Sequence, residues 1–270
     1  MKKLIAMLAA ILMMVTLFAG CGNTAAPAEE GKKTFTVGFD AEFPPFGYQD
    51  ENGEYIGFDL DLAAEVCARN GWELVKKPID WDAKNMELDS GSIDCIWNGF
   101  TMNGRENDYT WSKAYVDNSQ VIVTKADSGI TALKDLAGKI VAVQADSSAL
   151  AALTENEDGE NQANIDLAAS FKQLVEVPDY NTAFLNLEAG AVNAIAMDIG
   201  VAKYQLAQRG EGYVILDAVI SAEQYGIGFK LGNTELCNQV ETTLEAMVAD
   251  GTFAAIAEKW GLTDSVCLGK

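Results

Sequence analysis

The sequence predicts an α/β fold built on open, mostly parallel sheets. Two observations carry this. Short apolar runs bounded by turn formers alternate with stretches of helical periodicity throughout the chain after residue 33. Polar groups also collect where the apolar runs stop, at Asp40, Asn98–Thr101, Ser147–Ser148 and Asp198. Ligands of such sheets sit at the carboxyl ends of the strands, so these four places point to one binding cleft.

Taken in order, Thr34–Asp40 alternates as a first strand and runs into the stiff aromatic turn Phe43-Pro44-Pro45-Phe46. Asp50–Gly53 reads as a hairpin turn. Gly57–Val66 opens a helix, with Asp59 as its N-cap and Leu62, Val66 and Cys67 as its apolar stripe. Trp72–Lys77 is a strand, and Asp80-Trp81-Asp82 leads into a helix through Leu88. Ile93–Trp97 is a buried strand that ends in a turn, Asn98-Gly99-Phe100-Thr101, which leaves backbone groups free. Arg105 follows, loosened by Gly104, and a guanidinium beside free N–H groups suits a bidentate grip on a carboxylate. Taken alone it reads rather as an ordinary surface arginine after a turn.

Gln120–Thr124 is an apolar strand, Leu133–Leu136 a helical turn and Lys139–Val143 a strand. The last leads through Gln144 to Ser147 and Ser148, which open a helix. Unpaired N–H groups at such a start accept an anion, although two ordinary caps read the same. Residues 155–164 read as an acidic surface loop. Leu174–Val177 is a strand, Asn181–Ala189 a helix and Ala194–Met197 a strand, ending at Asp198 before the helix Val201–Gln208. Tyr213–Leu216 is a strand and Glu223–Phe229 an extended crossing segment. Thr234–Asp250 and Thr252–Trp260 are amphipathic helices parted by Gly251.

The N-terminus reads as residues to be removed. Met1-Lys2-Lys3 and the apolar run Leu4–Phe18 have the form of a secretory signal over residues 1–20. Leu17-Phe18-Ala19-Gly20-Cys21 resembles the lipobox of bacterial lipoproteins, which implies lipidation of Cys21 and a membrane anchor. Residues 21–33 are small and polar, as a flexible tether should be.

Composition narrows the chemistry. With 40 acidic against 19 basic residues and a formal net charge of -21, neither nucleic acid nor anionic lipid is a partner. The chain has no histidine, which removes Ser-His-Asp and Cys-His catalysis and histidine metal ligation. None of the five cysteines shows zinc-type spacing. Cys67 and Cys95 read as small core residues. Cys237 and Cys267 both lie in the C-terminal segment, where an oxidising compartment permits a disulfide.

On Gly57–Leu62, Trp97–Thr101 with Arg105, Tyr225–Phe229, Asp250–Thr252 and Lys259–Gly261, the chain resembles the polar amino-acid-binding family of solute-binding proteins that serve bacterial ABC importers. The resemblance implies a two-lobed periplasmic-binding-protein-like fold with two hinge strands (type II). Lobe 1 is then residues 34–116 and 224–270, and lobe 2 residues 117–223. It further implies a monomer without cofactor or metal that closes on a free amino acid, polar or cationic, and delivers it to a permease.

Within that family, Arg105 grips the α-carboxylate with Thr101 N–H and Ser148. Asp198, the Thr101 hydroxyl and the Gly99 carbonyl take the α-amino group. Phe43 and Trp81 sandwich the side chain, and Asp40, Asn98 and Gln144 line its far end, with Ser147 beside them. Three residues separate Thr101 from Arg105 where the family usually has four, so this loop is expected to be remodelled. The competing reading is an enzyme on the same fold, a cyclic-acid dehydratase, for which Glu42 is the acid left free.

Overall fold

The structure is a computed structural model that describes residues 32–156, 159 and 161–270. The expected leader, Cys21 and the tether up to residue 31 lie outside the described residues.

The first half of the chain builds β1 (Thr34–Phe39), the short strands β2 (Glu42–Phe43), β3 (Gly47–Gln49) and β4 (Tyr55–Ile56), α1 (Phe58–Asn70) and β5 (Glu73–Pro78). A 3-10 turn at Trp81–Ala83 leads to α2 (Lys84–Asp89), β6 (Cys95–Thr101), β7 (Tyr109–Trp111) and β8 (Val116–Lys125). After a 3-10 turn at Leu133–Leu136 come β9 (Ile140–Gln144), α3 (Ser148–Thr154), α4 (Gln162–Ala169), β10 (Gln173–Val177), α5 (Tyr180–Glu188), β11 (Ala194–Asp198) and α6 (Ile199–Arg209). The chain closes with β12 (Tyr213–Lys230), α7 (Thr234–Ala249) and α8 (Thr252–Lys259).

One mixed sheet runs in the order β10-β9-β11-β8-β12-β6-β1-β5, with β7 also on β12, and β2, β3 and β4 form a separate three-stranded sheet. β1 pairs in parallel with β5 and β6, and β9 in parallel with β10 and β11. β8 and β12 run antiparallel to each other and to their outer neighbours. The expectation of mostly parallel sheets therefore holds on both flanks and fails at the centre, where two long strands join them. The β12 register shifts between Ile215 and Val219, between Val219 and Ser221, and between Gly226 and Gly228. Such irregularities break and bend a strand, which explains why its sequence reads as two separate segments.

Alternation decides which side of β1 is core: Phe35, Val37 and Phe39 are wholly buried. Each such side chain contributes about 1.5–3 kcal/mol. They pack with α1 residues Phe58, Leu62 and Val66 and with Leu236, Val240 and Leu244 of α7. On the opposite flank Ile122, Val141, Val143, Ala196 and Leu153 form a second core.

Several expectations need correction. Asp59 is not the N-cap of α1; Gly57 holds that position at φ 149, where an added Cβ would lie 2.1 Å from the Phe46 carbonyl oxygen. Asp59 is instead buried in the first turn, accepting from Gly99 N–H (2.6 Å) and the Tyr115 hydroxyl (2.9 Å). Residues 98–101 are no turn, because β6 continues through them against β12. The loop read over residues 155–164 gives way to α4 from Gln162 onward.

Cys237 and Cys267 are both free thiols. The tail does fold back, but onto the start of β8: Val266 bridges Val116, and Cys267 N–H donates to the Tyr115 carbonyl at 3.0 Å. Cys237 is buried elsewhere, its thiol donating to the Trp111 carbonyl at 3.2 Å.

Candidate functional site

The carboxyl ends of β1, β6, β9 and β11 converge, as the sequence predicts, on two adjoining cavities. The inner one, about 20 Å³, is lined by Phe43, Trp81, Gly99, Thr101, Arg105, Gln144, Ser147, Ser148 and Asp198. The outer one, about 670 Å³, is lined by Asp40, Ala41, Glu42, Pro78, Ile79, Asp80, Trp81, Asp82, Glu87, Ala145, Pro178 and Asp179. Trp81 belongs to both, and a hydrogen bond from Gln144 Nε2 to Asp40 Oδ2 (2.7 Å) marks their boundary.

β6 supplies Gly99 and Thr101. Gly99 has φ 60, and a Cβ there would stand 2.9 Å from the Tyr225 ring and 3.0 Å from that of Phe43. Only glycine satisfies both the left-handed backbone and the close approach. Asp59 then pins the Gly99 N–H from beneath. Asn98 is the sequence-predicted residue that the structure does not bring to either cavity. It is buried with Oδ1 toward Gly47, and neither of its amide atoms has a hydrogen-bond partner among the described residues. Adjacent strand residues face opposite ways, so a strand that presents Gly99 and Thr101 turns Asn98 to the other side.

The shortened loop still delivers Arg105. Its guanidinium donates to the Thr101 carbonyl (3.3 Å) and the Asp146 carbonyl (3.4 Å), and stands 5.4 Å from the Phe100 ring centroid. Asp146 also takes the buried ammonium of Lys84. Burial lowers the Lys84 pKa to about 8, against the pull of Asp146. Ser147 caps α3, accepting from Leu150 N–H at 3.2 Å.

Asp198, at the end of β11, occupies the N-cap position of α6 but makes no cap hydrogen bond. Its carboxylate instead accepts from Tyr225 OH (2.6 Å), Gln120 Nε2 (2.7 Å), Asn118 Nδ2 (2.8 Å) and Tyr180 OH (3.0 Å). A second buried carboxylate, Glu223, stands beside it and shares Asn118 and Gln120. Burial raises both pKa values, against those hydrogen bonds. Burial likewise lifts Asp40 to about 6. Sequence reasoning missed Glu223, Asn118, Gln120 and Lys84. The polar pair Asn118 and Gln120, two apart on β8, was the available signal, since that spacing puts both on one face.

Chemically, the inner cavity offers a guanidinium on one side and an anionic cluster on the other, as the two ends of a zwitterion require. Six carboxylate side chains and no basic residue line the outer cavity. Among the described residues there is no group of three or more His, Cys, Asp or Glu that could hold a metal ion.

L-cystine-binding protein TcyJ of Escherichia coli (strain K12) is 29% identical over 259 residues, covering 92% of either chain. Arginine-binding extracellular protein ArtP of Bacillus subtilis (strain 168) is 27% identical over 261 residues, 96% of this chain and 98% of that one. Among solved structures, an ABC uptake transporter substrate binding protein from Streptococcus pneumoniae with bound histidine matches at TM-score 0.78 and 33% identity, over 84% of this chain and 92% of that one. The fold is that of the two-lobed periplasmic amino-acid-binding proteins. The profile of the bacterial extracellular solute-binding proteins, family 3, matches residues 35–263, and this chain belongs to that family.

Proposed function

We propose that this protein captures a cationic amino acid outside the cytoplasm and hands it to the permease of an ABC importer. One observation carries the reading: Arg105 and Asp198 line the same small cavity, and that cavity adjoins a larger one ringed by six carboxylates. The α-carboxylate goes to Arg105 and the α-ammonium to Asp198 and Thr101. Phe43 and Trp81 flank the side chain, whose far end passes Gln144 toward Asp40 and the acidic cavity. Aromatic faces and the buried carboxylate of Asp40 both favour a positive side chain there.

In this reading residues 34–116 with 224–270 form lobe 1, residues 117–223 form lobe 2, and β8 and β12 are the hinge. Residues 1–20 are a leader, and Cys21 carries the lipid that anchors a monomeric protein to the membrane. Glu42, the acid an enzyme on this fold would use, is tied to Asn181 and so favours binding over catalysis.

The test is calorimetry and thermal shift of the purified chain with L-arginine, L-lysine, L-histidine, L-glutamine and L-cystine. Tightest binding of a cationic member is the expected result. Tighter binding of L-glutamine or L-cystine would overturn the ligand class, and binding of none would overturn the function.

A further inference from the structure

Glu223 lies on β12, in the segment where both flanks of the sheet meet, and is 7% exposed. A single oxygen, Oε1, accepts from Asn118 Nδ2 (2.7 Å), Gln120 Nε2 (2.8 Å), Thr101 Oγ1 (2.8 Å) and Ser148 Oγ (3.2 Å). Asn118 Nδ2 and Gln120 Nε2 also serve Asp198, at 2.8 and 2.7 Å. Two carboxylates thus share two amide groups, and none of the ion pairs among the described residues involves either of them. Buried charges are ordinarily paired. Gln120 Oε1, on the amide that joins the two, is buried and has no hydrogen-bond partner among the described residues. Two carboxylates and an idle acceptor together call for a cation.

Glu223 is not among the residues that line the inner cavity; Thr101 and Ser148 are. A hydroxyl has one hydrogen to give. The Thr101 hydroxyl stands 2.8 Å from the carboxylate and 3.2 Å from Ser148 Oγ, so its hydrogen goes to Glu223, the shorter and charge-assisted bond. Gln120 Nε2 has two hydrogens and three acceptors within 2.8 Å, so with both spent on the carboxylates the Ser148 hydroxyl is left to donate to its charged neighbour, Glu223 Oε1, at 3.2 Å. Both hydroxyls then face the cleft with lone pairs only.

We propose that Glu223 is a positioning residue that makes Thr101 and Ser148 acceptors for the ligand's ammonium, so that Ser148 serves the ammonium and not the carboxylate. The proposal rests on the amino-acid reading above and deepens it. The carboxylate is left to Arg105 and backbone N–H groups, while the ammonium is held by two hydroxyl oxygens and Asp198, with Glu223 behind them. Selectivity for the amino group is therefore set by a residue that does not touch it.

The experiment compares each amino acid with its counterpart lacking the α-amino group. The pairs are L-arginine with 5-guanidinopentanoic acid, L-lysine with 6-aminohexanoic acid, L-histidine with 3-(imidazol-4-yl)propanoic acid, L-glutamine with 4-carbamoylbutanoic acid, and L-cystine with 3,3'-dithiodipropanoic acid. Calorimetry is run on wild type, Glu223→Gln, Glu223→Asp and Ser148→Ala, with the pair whose amino acid wild type binds most tightly. Glu223→Gln and Ser148→Ala should each weaken the amino acid tenfold or more and leave the deaminated compound within twofold. Glu223→Asp should recover part of the loss. Equal losses on both compounds, or none on either, overturn the proposal while the amino-acid reading stands. If Glu223→Gln does not fold, Ser148→Ala decides alone, since a serine serving the carboxylate weakens both compounds. Wild type that binds none of the five amino acids overturns both readings.

Discussion

Asp198 and Asp40 show how position sets the work of a carboxylate. Asp198 is buried among four donors and makes no ion pair among the described residues, so on the proposed reading a ligand ammonium completes its pairing. Asp198→Ala should weaken the best amino acid by about 2–5 kcal/mol, because the ammonium is then left buried without its partner. Calorimetry on the folded variant checks this, and affinity equal to wild type would remove Asp198 from the site. Asp40 titrates where affinity can be measured. Its pKa is raised by burial to about 6, so it holds a proton in mildly acid solution. A cationic side chain needs the ionised form, and affinity for L-arginine should rise between pH 5 and 7 in wild type and stay flat in Asp40→Asn. The sign for stability is opposite. A carboxyl with a raised pKa in the folded state favours folding below its unfolded value near 3.8, and that contribution is lost as pH rises through about 6. The thermal shift given by L-arginine should therefore be larger at pH 7 than at pH 5. A flat wild-type profile would take Asp40 out of contact with the charge. Both aspartates were legible in the sequence because each closes an apolar run. Glu223 was not, because it sits inside a strand, and its burial follows from β8 and β6 packing beside it.

At the scale of elements, β6 does the most to shape the cleft. It carries Gly99 at φ 60 between the rings of Tyr225 and Phe43, with Asp59 of α1 holding its N–H. Gly99→Ala adds a methyl where there is no room and forces a left-handed alanine, costing about 1–3 kcal/mol. For a domain of this size that lowers the melting temperature by roughly 2–12 °C. Binding should weaken further, since Phe43 must move. An unchanged melting curve would mean that the strand relaxes freely around this residue. The order of strands and helices was readable because both periodicities are strong, and the boundaries erred by the few residues that capping decides. Two misreadings have one cause. The sequence marks residues 98–101 and 217–222 with polar and small residues that signal a break, and the register does shift there, yet pairing with β12 and β8 resumes at Phe100 and Thr101 and at Val219 to Ala222, so each strand runs on past its bulge. Asp59 was misread for a related reason: N-cap chemistry is local, whereas its partners Gly99 and Tyr115 are distant in sequence.

At the scale of the molecule, the contacts between the two proposed lobes describe a closed state. Gln144 bonds Asp40, Lys84 bonds Asp146, Asn181 bonds Glu42, and the Tyr204 and Tyr48 hydroxyls meet at 3.1 Å. The inner cavity of about 20 Å³ holds little more than one water molecule. On the proposed reading an amino acid enters only when the lobes part, with the irregular stretches of β12 as the place where the hinge gives. A ligand held by both proposed lobes favours the closed state by its differential affinity. A cross-link between the lobes tests this directly. Glu42 and Asn181 touch across the outer cleft. Of the described cysteines, Cys67, Cys95 and Cys237 are buried and Cys267 half-buried, so cysteines introduced at 42 and 181 are the more accessible thiols. Bridging the Glu42→Cys, Asn181→Cys double variant with a short bis-maleimide before ligand is added should abolish uptake of radiolabelled amino acid. Bridging after binding should trap the label through dialysis. The unbridged double variant should bind normally, and small-angle scattering should show wild type contracting when ligand is added. A bridged protein that takes up and releases ligand at the unbridged rate would show that entry does not require the lobes to part.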